Sequence, residues 1–301
     1  MLVNYAPMPR AKRRREARLL WQCGLVYQEL GLRVEGRSTL SIHPSATVGE
    51  QATISPEAEV GPYCVIEGEV EVGAHTIIES HARIGSRFGR VTIGEHNHIQ
   101  NGAVLGGPPQ DLGYEDGGYT ALAIGDHNRI GEFVSINLGS QKGGGMTRVG
   151  DHNFIMAYVH VGHDCQLADH IVITNGAQFA GHVVIEHHAL ISGLVGVTQF
   201  CRLGAYSFLV AGAFANKDIP PFTIAEGHWA TPRATNRVGL KRAGFDSSER
   251  RNIDHAVRIL LDRKLTMEKV TAAIEQQCSP SPQIEHFLNF LKTSDRGIAR
   301  G

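Results

Sequence analysis

The sequence predicts a mainly β protein: a parallel β-helix of hexapeptide repeats followed by a C-terminal α-helical domain. Three observations carry that reading. From Val149 to Leu209 an aliphatic or Phe residue falls on every sixth position, at Val149, Ile155, Val161, Leu167, Ile173, Phe179, Ile185, Ile191, Val197, Leu203 and Leu209. A period of six matches neither the helical 3.6 nor strand alternation, and it belongs with β-helix repeats. The pattern then stops at Asp218-Ile219-Pro220-Pro221, and amphipathic segments replace it. The 35 glycines, many just after a hexad aliphatic, suit the corners of a coil.

In chain order, residues 1–38 form a basic N-terminal extension that reads as a helix, with Arg10, Lys12, Arg13, Arg14, Arg15 and Arg18 before an apolar stretch. Two readings stand for it, a membrane-surface or targeting arm and a solvated extension or upstream start. Residues 39–222 form the β-helix, whose first half runs through Ile42, Val48, Ile54, Val60, Ile66, Val72, Ile78 and Ile84. The period then slips before Ile93, again between Leu105 and Ile124, and again between Ile136 and Val149. Such breaks are insertions at coil corners, which in solenoids gather on one face and often build the binding site. The two longest carry Gly106-Gly107-Pro108-Pro109-Gln110-Asp111 and Gly143-Gly144-Gly145.

Residues 223–301 form the helical domain, with helices expected near 247–264, 266–277 and 282–292. Ser247-Ser248-Glu249 supplies a cap for the first, and Ser279-Pro280-Ser281-Pro282 separates the last two. These helices should cover one end of the coil, where strand edges would otherwise stay unpaired.

Composition narrows function. With 29 basic and 30 acidic residues there is no polyelectrolyte signature, so neither nucleic acid nor an anionic membrane is the expected partner. Five cysteines without a C-x-x-C pair argue against a disulfide framework or zinc ribbon, and point to a reducing, cytoplasmic setting. No apolar run approaches the roughly 18 residues of a membrane span. Gly143-Gly144-Gly145 lacks the Gly-Lys-Ser/Thr ending of a phosphate-binding loop.

Three hexads per coil place residues eighteen apart in one column, and this register turns sequence into chemistry. Val161 and Cys165 point inward, while His163 and Asp164 lie at a corner. Gly181 and Gln199 stack above His163, and His182 stacks above Asp164, at rungs about 4.8 Å apart. A histidine beside a carboxylate can take a proton from a hydroxyl near neutral pH, and the carboxylate fixes its tautomer. Gly181 adds an unobstructed backbone N–H suited to an oxyanion. Most of the sixteen histidines are expected to be surface corner residues, as in the Asp-His-Asn turns at Asp126 and Asp151 and the Glu-His-Asn turn at Glu95. His182 and His187 have a spacing similar to that of the γ-class carbonic anhydrases. Two histidines do not complete a zinc site, and no metal or organic cofactor is expected.

From about Ile42 to Arg300 the chain resembles the UDP-N-acetylglucosamine O-acyltransferases of lipid A biosynthesis, in the left-handed β-helix superfamily. The resemblance is carried by Gln110-Asp111-Leu112, Gly143-Gly144-Gly145 with Thr147, His160 through Cys165, Ala180-Gly181-His182, Gln199-Phe200-Cys201, Pro220-Pro221, Ala230-Thr231-Pro232 and Gly239-Leu240-Lys241-Arg242. It implies a homotrimer with active sites between subunits, an acyl carrier protein as donor and UDP-N-acetylglucosamine as acceptor. His163 would be the general base, Asp164 would orient it, and Gly181 would hold the oxyanion. Asp111, His160, His182 and Gln199 would hold the sugar, acyl or pantetheine groups, Asn236 and Arg242 the nucleotide end, and Ala211 would limit acyl length. The chain departs from the family pattern at Gly113, where a lysine is usual, and at Asn137-Leu138-Gly139-Ser140, where His-Arg-Gly-Thr is usual. Thr198 stands for a histidine and Ala243 for an arginine. A divergent acyltransferase with another nucleotide-sugar or amine acceptor, and a non-catalytic binding scaffold, are therefore the competing readings.

Overall fold

The computed structural model describes residues 41–115 and 120–300. The expected N-terminal helix lies outside the described residues. Very short strands follow one another around a left-handed triangular coil and build three parallel walls. The first wall starts at Thr47–Val48 and ends at Phe214–Ala215, the second runs from Ala52–Ile54 to Arg202–Leu203, and the third starts at Glu59–Val60. Strand pairing follows the predicted register: Val161 pairs with Phe179, Phe179 with Val197, and Val197 with Ala215. The hexad aliphatics fill the coil interior, with Ile66, Leu105, Ile155, Phe179 and Leu203 fully buried. Burying each such side chain contributes roughly 1.5–3 kcal/mol, so the column of aliphatics is the main source of stability.

Corners need a left-handed backbone, and non-glycine residues supply most of them here. His75, His96, His127, His152, His170 and His188 all have φ between 55° and 58°. They occupy one corner, between the second and third walls, and their rings stack at centroid spacings of 4.7–4.9 Å. The flanking residues of the Asp-His-Asn turns bind neighbouring rungs. Asp126 accepts the Glu95 N–H and Asp151 the Asp126 N–H, each at 2.7 Å. Inside, Asn97 accepts the Asn128 N–H at 2.8 Å and Asn128 the Asn153 N–H at 2.9 Å. These histidines are corner residues, as expected.

Every slip of the period falls at one corner. The strands before the slips, Arg83–Ile84, Val104–Gly107 and Ser135–Asn137, all lie in the first wall, and the strands after them, Arg90–Ile93, Ala121–Ile124 and Met146–Val149, all lie in the second. The same corner, higher up the coil, carries His163 and Asp164.

The parallel wall runs on past residue 222, because Thr223–Glu226 pairs parallel with Phe208–Leu209 and antiparallel with Thr231–Thr235. Four helices follow: α1 (Arg237–Arg242), α2 (Ser247–Leu261), α3 (Met267–Gln277) and α4 (Pro282–Lys292). The cap of α2 sits one residue earlier than the sequence suggests. Asp246, in extended backbone, accepts the N–H groups of Ser248 and Glu249 at 2.7 and 2.9 Å, the geometry of an N-cap carboxylate. The helices bury Leu240, Ile253, Val257, Ile274 and Phe287 against Phe222 and Tyr206 of the last coils. His286 on α4 bonds Glu186 at 2.8 Å, and Arg202 bonds the Thr293 hydroxyl at 3.0 Å. Ile298 pairs with Asp218. The edges of the last strands are met by backbone rather than by these helices: the Phe214 N–H reaches the Gly227 carbonyl, the Ile219 N–H reaches the Arg202 carbonyl, and Thr231–Thr235 closes the third wall.

Candidate active site

A cavity of about 740 Å³ opens along the first wall and the corner beside it. His160, His163, Gly181, His182 and Gln199 line it, together with Asp111 from the longest insertion. The register thus brings together five of the residues singled out from sequence, and the insertion adds Asp111.

His163 and Asp164 form the centre. The His163 Nδ1 lies 2.7 Å from Asp164 Oδ2, and a carboxylate can only accept, so that bond puts a proton on Nδ1, and among the described residues nothing bonds Nε2. Gly181 makes room for that ring: a Cβ there would come within 2.6 Å of Nε2 and Cε1. The Gly181 carbonyl accepts the Phe200 N–H, and among the described residues no acceptor takes the Gly181 N–H. A donor without a partner in a buried position is uncommon in proteins, and this one stands beside a free imidazole nitrogen.

Two further histidines surround the pair. His160 bonds the Ser135 hydroxyl at 2.8 Å; burial, and then the neighbouring His163, hold its pKa below the ordinary histidine value. His182 packs edge-on to His163 and face-on to Phe200, with its Nε2 3.7 Å from Asp164. Burial lowers its pKa too, opposed by Asp164. Both side chains are therefore favoured as neutral imidazoles near pH 7. Cys165, next to the pair, faces the core, and burial pushes its thiol up to about 12, which makes it a packing residue rather than a nucleophile.

His163, Asp164 and His182 each bring a ligand atom within 4.8 Å of the others. The Asp164 carboxylate, however, is already engaged by His163 and Ser140. The His182–His187 pairing is not formed, because His187 turns the next corner and packs against Tyr206.

The two long insertions meet beside the cavity, which periodicity could not show. Lys142 donates to the Gly113 carbonyl at 2.9 Å, and Gln141 to that of Glu115 at 3.0 Å. A Cβ at Gly113 would stand 2.6 Å from the Lys142 Nζ, so an ammonium group from the second insertion occupies the space that a side chain at 113 would enter. The Gly113 N–H bond, helped by Lys142, holds Asp111 below the usual carboxylate range. Leu138 lies in the hydrophobic core, and Asn137 ties the first insertion down through the Pro108 carbonyl at 2.6 Å. These two departures from the family pattern are therefore packing and bracing residues.

Three predicted residues stand apart from the cavity. Asn236 is occupied as the cap of α1, accepting from Gly239 at 3.0 Å and donating to the Tyr206 carbonyl at 2.9 Å. Arg242 lies exposed at the end of that helix, and Ala211 occupies the corner between the third and first walls. Phe214, which sequence reasoning missed, does line the cavity, and it packs against His228, which in turn packs against Trp229. Its place in the column His160, Gln178, Gly196, Phe214 was the available signal.

A left-handed hexapeptide coil with a histidine–carboxylate pair in a lateral cavity defines an acyltransferase of the β-helix class. Comparisons with known proteins make this specific. Residues 218–299 match the family model described as UDP-N-acetylglucosamine O-acyltransferase, domain 2. The acyl-[acyl-carrier-protein]–UDP-N-acetylglucosamine O-acyltransferase of Halorhodospira halophila is 42% identical over 212 residues, covering 70% of this chain and 82% of that one. The enzyme of the same name from Xanthomonas oryzae pv. oryzae is 43% identical over 213 residues, covering 70% and 81%. Among solved structures, the Francisella novicida UDP-N-acetylglucosamine acyltransferase superposes with a TM-score of 0.83 at 38% identity, covering 86% of this chain and 94% of that one. The Moraxella catarrhalis enzyme does so with a TM-score of 0.83 at 35% identity, covering 86% and 100%. The chain belongs to the acyl-[acyl-carrier-protein]–UDP-N-acetylglucosamine O-acyltransferase family.

Proposed function

We propose that the protein transfers a 3-hydroxyacyl chain from acyl carrier protein to the 3-hydroxyl of UDP-N-acetylglucosamine, the first step of lipid A biosynthesis. One observation carries the reading: a free His163 Nε2 and an unpartnered Gly181 N–H share one wall of the cavity. Nε2 takes the proton of the sugar 3-hydroxyl as that oxygen attacks the thioester carbonyl. The Gly181 N–H stabilises the resulting oxyanion. When the C–S bond breaks, His163 returns the proton to the departing thiolate, so an ester and a free thiol are the products. Asp164 keeps the imidazole in the required tautomer.

Asp111, His160, His182 and Gln199 line the space where sugar, acyl and pantetheine groups would lie. Lys142 beside Asp111 supplies the cationic group that the family pattern has at position 113, which supports an anionic substrate. In this reading residues 39–222 carry the reaction and residues 223–301 carry the nucleotide end. Asn236, Arg242 and Ala211 lie away from the cavity of their own chain, so their proposed roles require a neighbouring subunit, as in a homotrimer. The described cysteines are all free thiols, and no helix among the described residues is long and apolar enough to cross a membrane; a cytoplasmic setting suits both.

The test is incubation of the purified protein with UDP-N-acetylglucosamine and 3-hydroxyacyl carrier proteins of several lengths, with mass detection of product. Thr198 and Ala243, which remove a histidine and an arginine from the family pattern, are the positions on which a second reading with another acceptor would rest. A panel of nucleotide sugars and amines separates the two. Binding without turnover of any donor would leave a scaffold.

A further inference from the structure

Asp164 is 4% exposed, and three donors converge on its carboxylate. The Ser140 N–H reaches Oδ1 at 2.8 Å, the Ser140 hydroxyl reaches Oδ2 at 2.6 Å, and His163 Nδ1 reaches Oδ2 at 2.7 Å. The direction of the hydroxyl is fixed, because its oxygen also accepts the Gly143 N–H at 3.2 Å and its single proton goes to the carboxylate. Gly143 closes over the same group; a Cβ there would overlap the Asp164 carboxyl. Thr147 accepts the Asp164 N–H at 2.8 Å and anchors the backbone. The insertion that breaks the hexapeptide period is thus folded down onto one carboxylate.

This arrangement has an alternative that the clamp forbids. Oδ2 also lies 3.7 Å from His182 Nε2, so a carboxylate free to turn about its Cβ–Cγ bond could pair with either imidazole. We propose that Ser140 is a positioning residue for acyl transfer: its two donors hold Asp164 against His163 Nδ1 and away from His182 Nε2, and so keep the His163 proton on Nδ1 with Nε2 turned to the cavity. The inference rests on reading His163 as the base. Ser140 is buried and does not line the cavity, so it acts through Asp164.

The test uses the full chain with Ser140→Ala, Ser140→Thr and Ser140→Cys. Two readouts are taken: kcat and KM across pH, and the His163 tautomer by nitrogen NMR, assigned with His163→Gln. Ser140→Ala is expected to lower kcat roughly ten- to a hundred-fold, the weight of one hydrogen bond to an ionised group, with KM for both substrates unchanged. The Nδ1–H form of His163 should lose population. Ser140→Thr should restore both readouts. Ser140→Cys, which keeps the volume and offers a weaker donor, should fall between, and it puts the same question if the alanine variant misfolds. A wild-type tautomer and kcat in the alanine or cysteine variant would overturn the proposal while leaving the acyltransferase reading intact. A tautomer shift in a protein that transfers no acyl group would sink that reading and keep the positioning role.

Discussion

The His163 ring rests on Gly181, with Nε2 within 2.6 Å of where a side chain at 181 would begin. The proposed base and the proposed oxyanion donor are thus one coil apart and in contact, and neither can change independently. Gly181→Ala should push the imidazole out of line and lower turnover by roughly 10²-fold or more, while leaving thermal unfolding close to wild type. A steady-state assay beside a melting curve checks both halves; full activity would remove Gly181 from the site.

His163→Ala removes the base without disturbing the core, since the side chain faces the cavity. Turnover should fall by roughly two to four powers of ten, the usual weight of a general base, with the fold retained by circular dichroism. Turnover near the wild-type rate would take His163 out of the mechanism.

Lys142 and Gly113 should behave as a relocated charge. Lys142→Gln is expected to raise KM for UDP-N-acetylglucosamine roughly tenfold, the scale of one charge-assisted contact. The double variant Gly113→Lys with Lys142→Gln should recover most of it. If the single variant loses only thermal stability and keeps its KM, the lysine merely clasps two loops.

Phe214 packs its ring over Gly196, where a Cβ would lie 2.6 Å from the ring edge, and so closes the cavity along the first wall. Phe214→Gly should shift donor preference toward longer acyl chains, because each added methylene in a fitted apolar pocket discriminates by about 10-fold or more. Competition between carrier proteins bearing different chains measures this. An unchanged preference would return the role to Ala211.

Acid should destabilise the fold through two half-buried histidines. Burial depresses the pKa of His160 and His182 below the ordinary 6.5. The unfolded chain then binds protons more readily, so the stability these groups confer is present above about pH 6.5 and is lost as pH falls through their folded values. Denaturant midpoints between pH 7.5 and 5.5 should fall with pH, and fall less in His160→Gln. A midpoint independent of pH in that window would contradict the assignment.

The columns are legible in the sequence because the hexapeptide period obeys simple addition: 163, 181 and 199 meet since 161, 179 and 197 pair. Gly113 and Ser140 are not legible in the same way. Each sits in an insertion, where the period is silent and position is set by contacts between loops far apart in sequence. By sequence alone, Gly113 reads as a lost cation and Asn137-Leu138 as lost polar groups. The fold gives the first a substitute in Lys142 and the others a place in bracing and core. Asp246 escapes notice for a local reason, as any short polar residue near a helix start can serve as its cap.

All of the extra residues in the coil enter at one edge, and the other two edges keep strict time. Such a chain has a grammar for length change. A gain of six residues would carry everything downstream to the next wall and scatter the columns, whereas a gain of eighteen, the spacing of paired residues such as His160 and Gln178, would return every later side chain to its own edge. Loops at the decorated edge escape that rule, because the chain re-enters the second wall in register whatever their length. A lineage built on this coil can therefore remodel what its cavity accepts through those loops, while the machinery above them stays in phase.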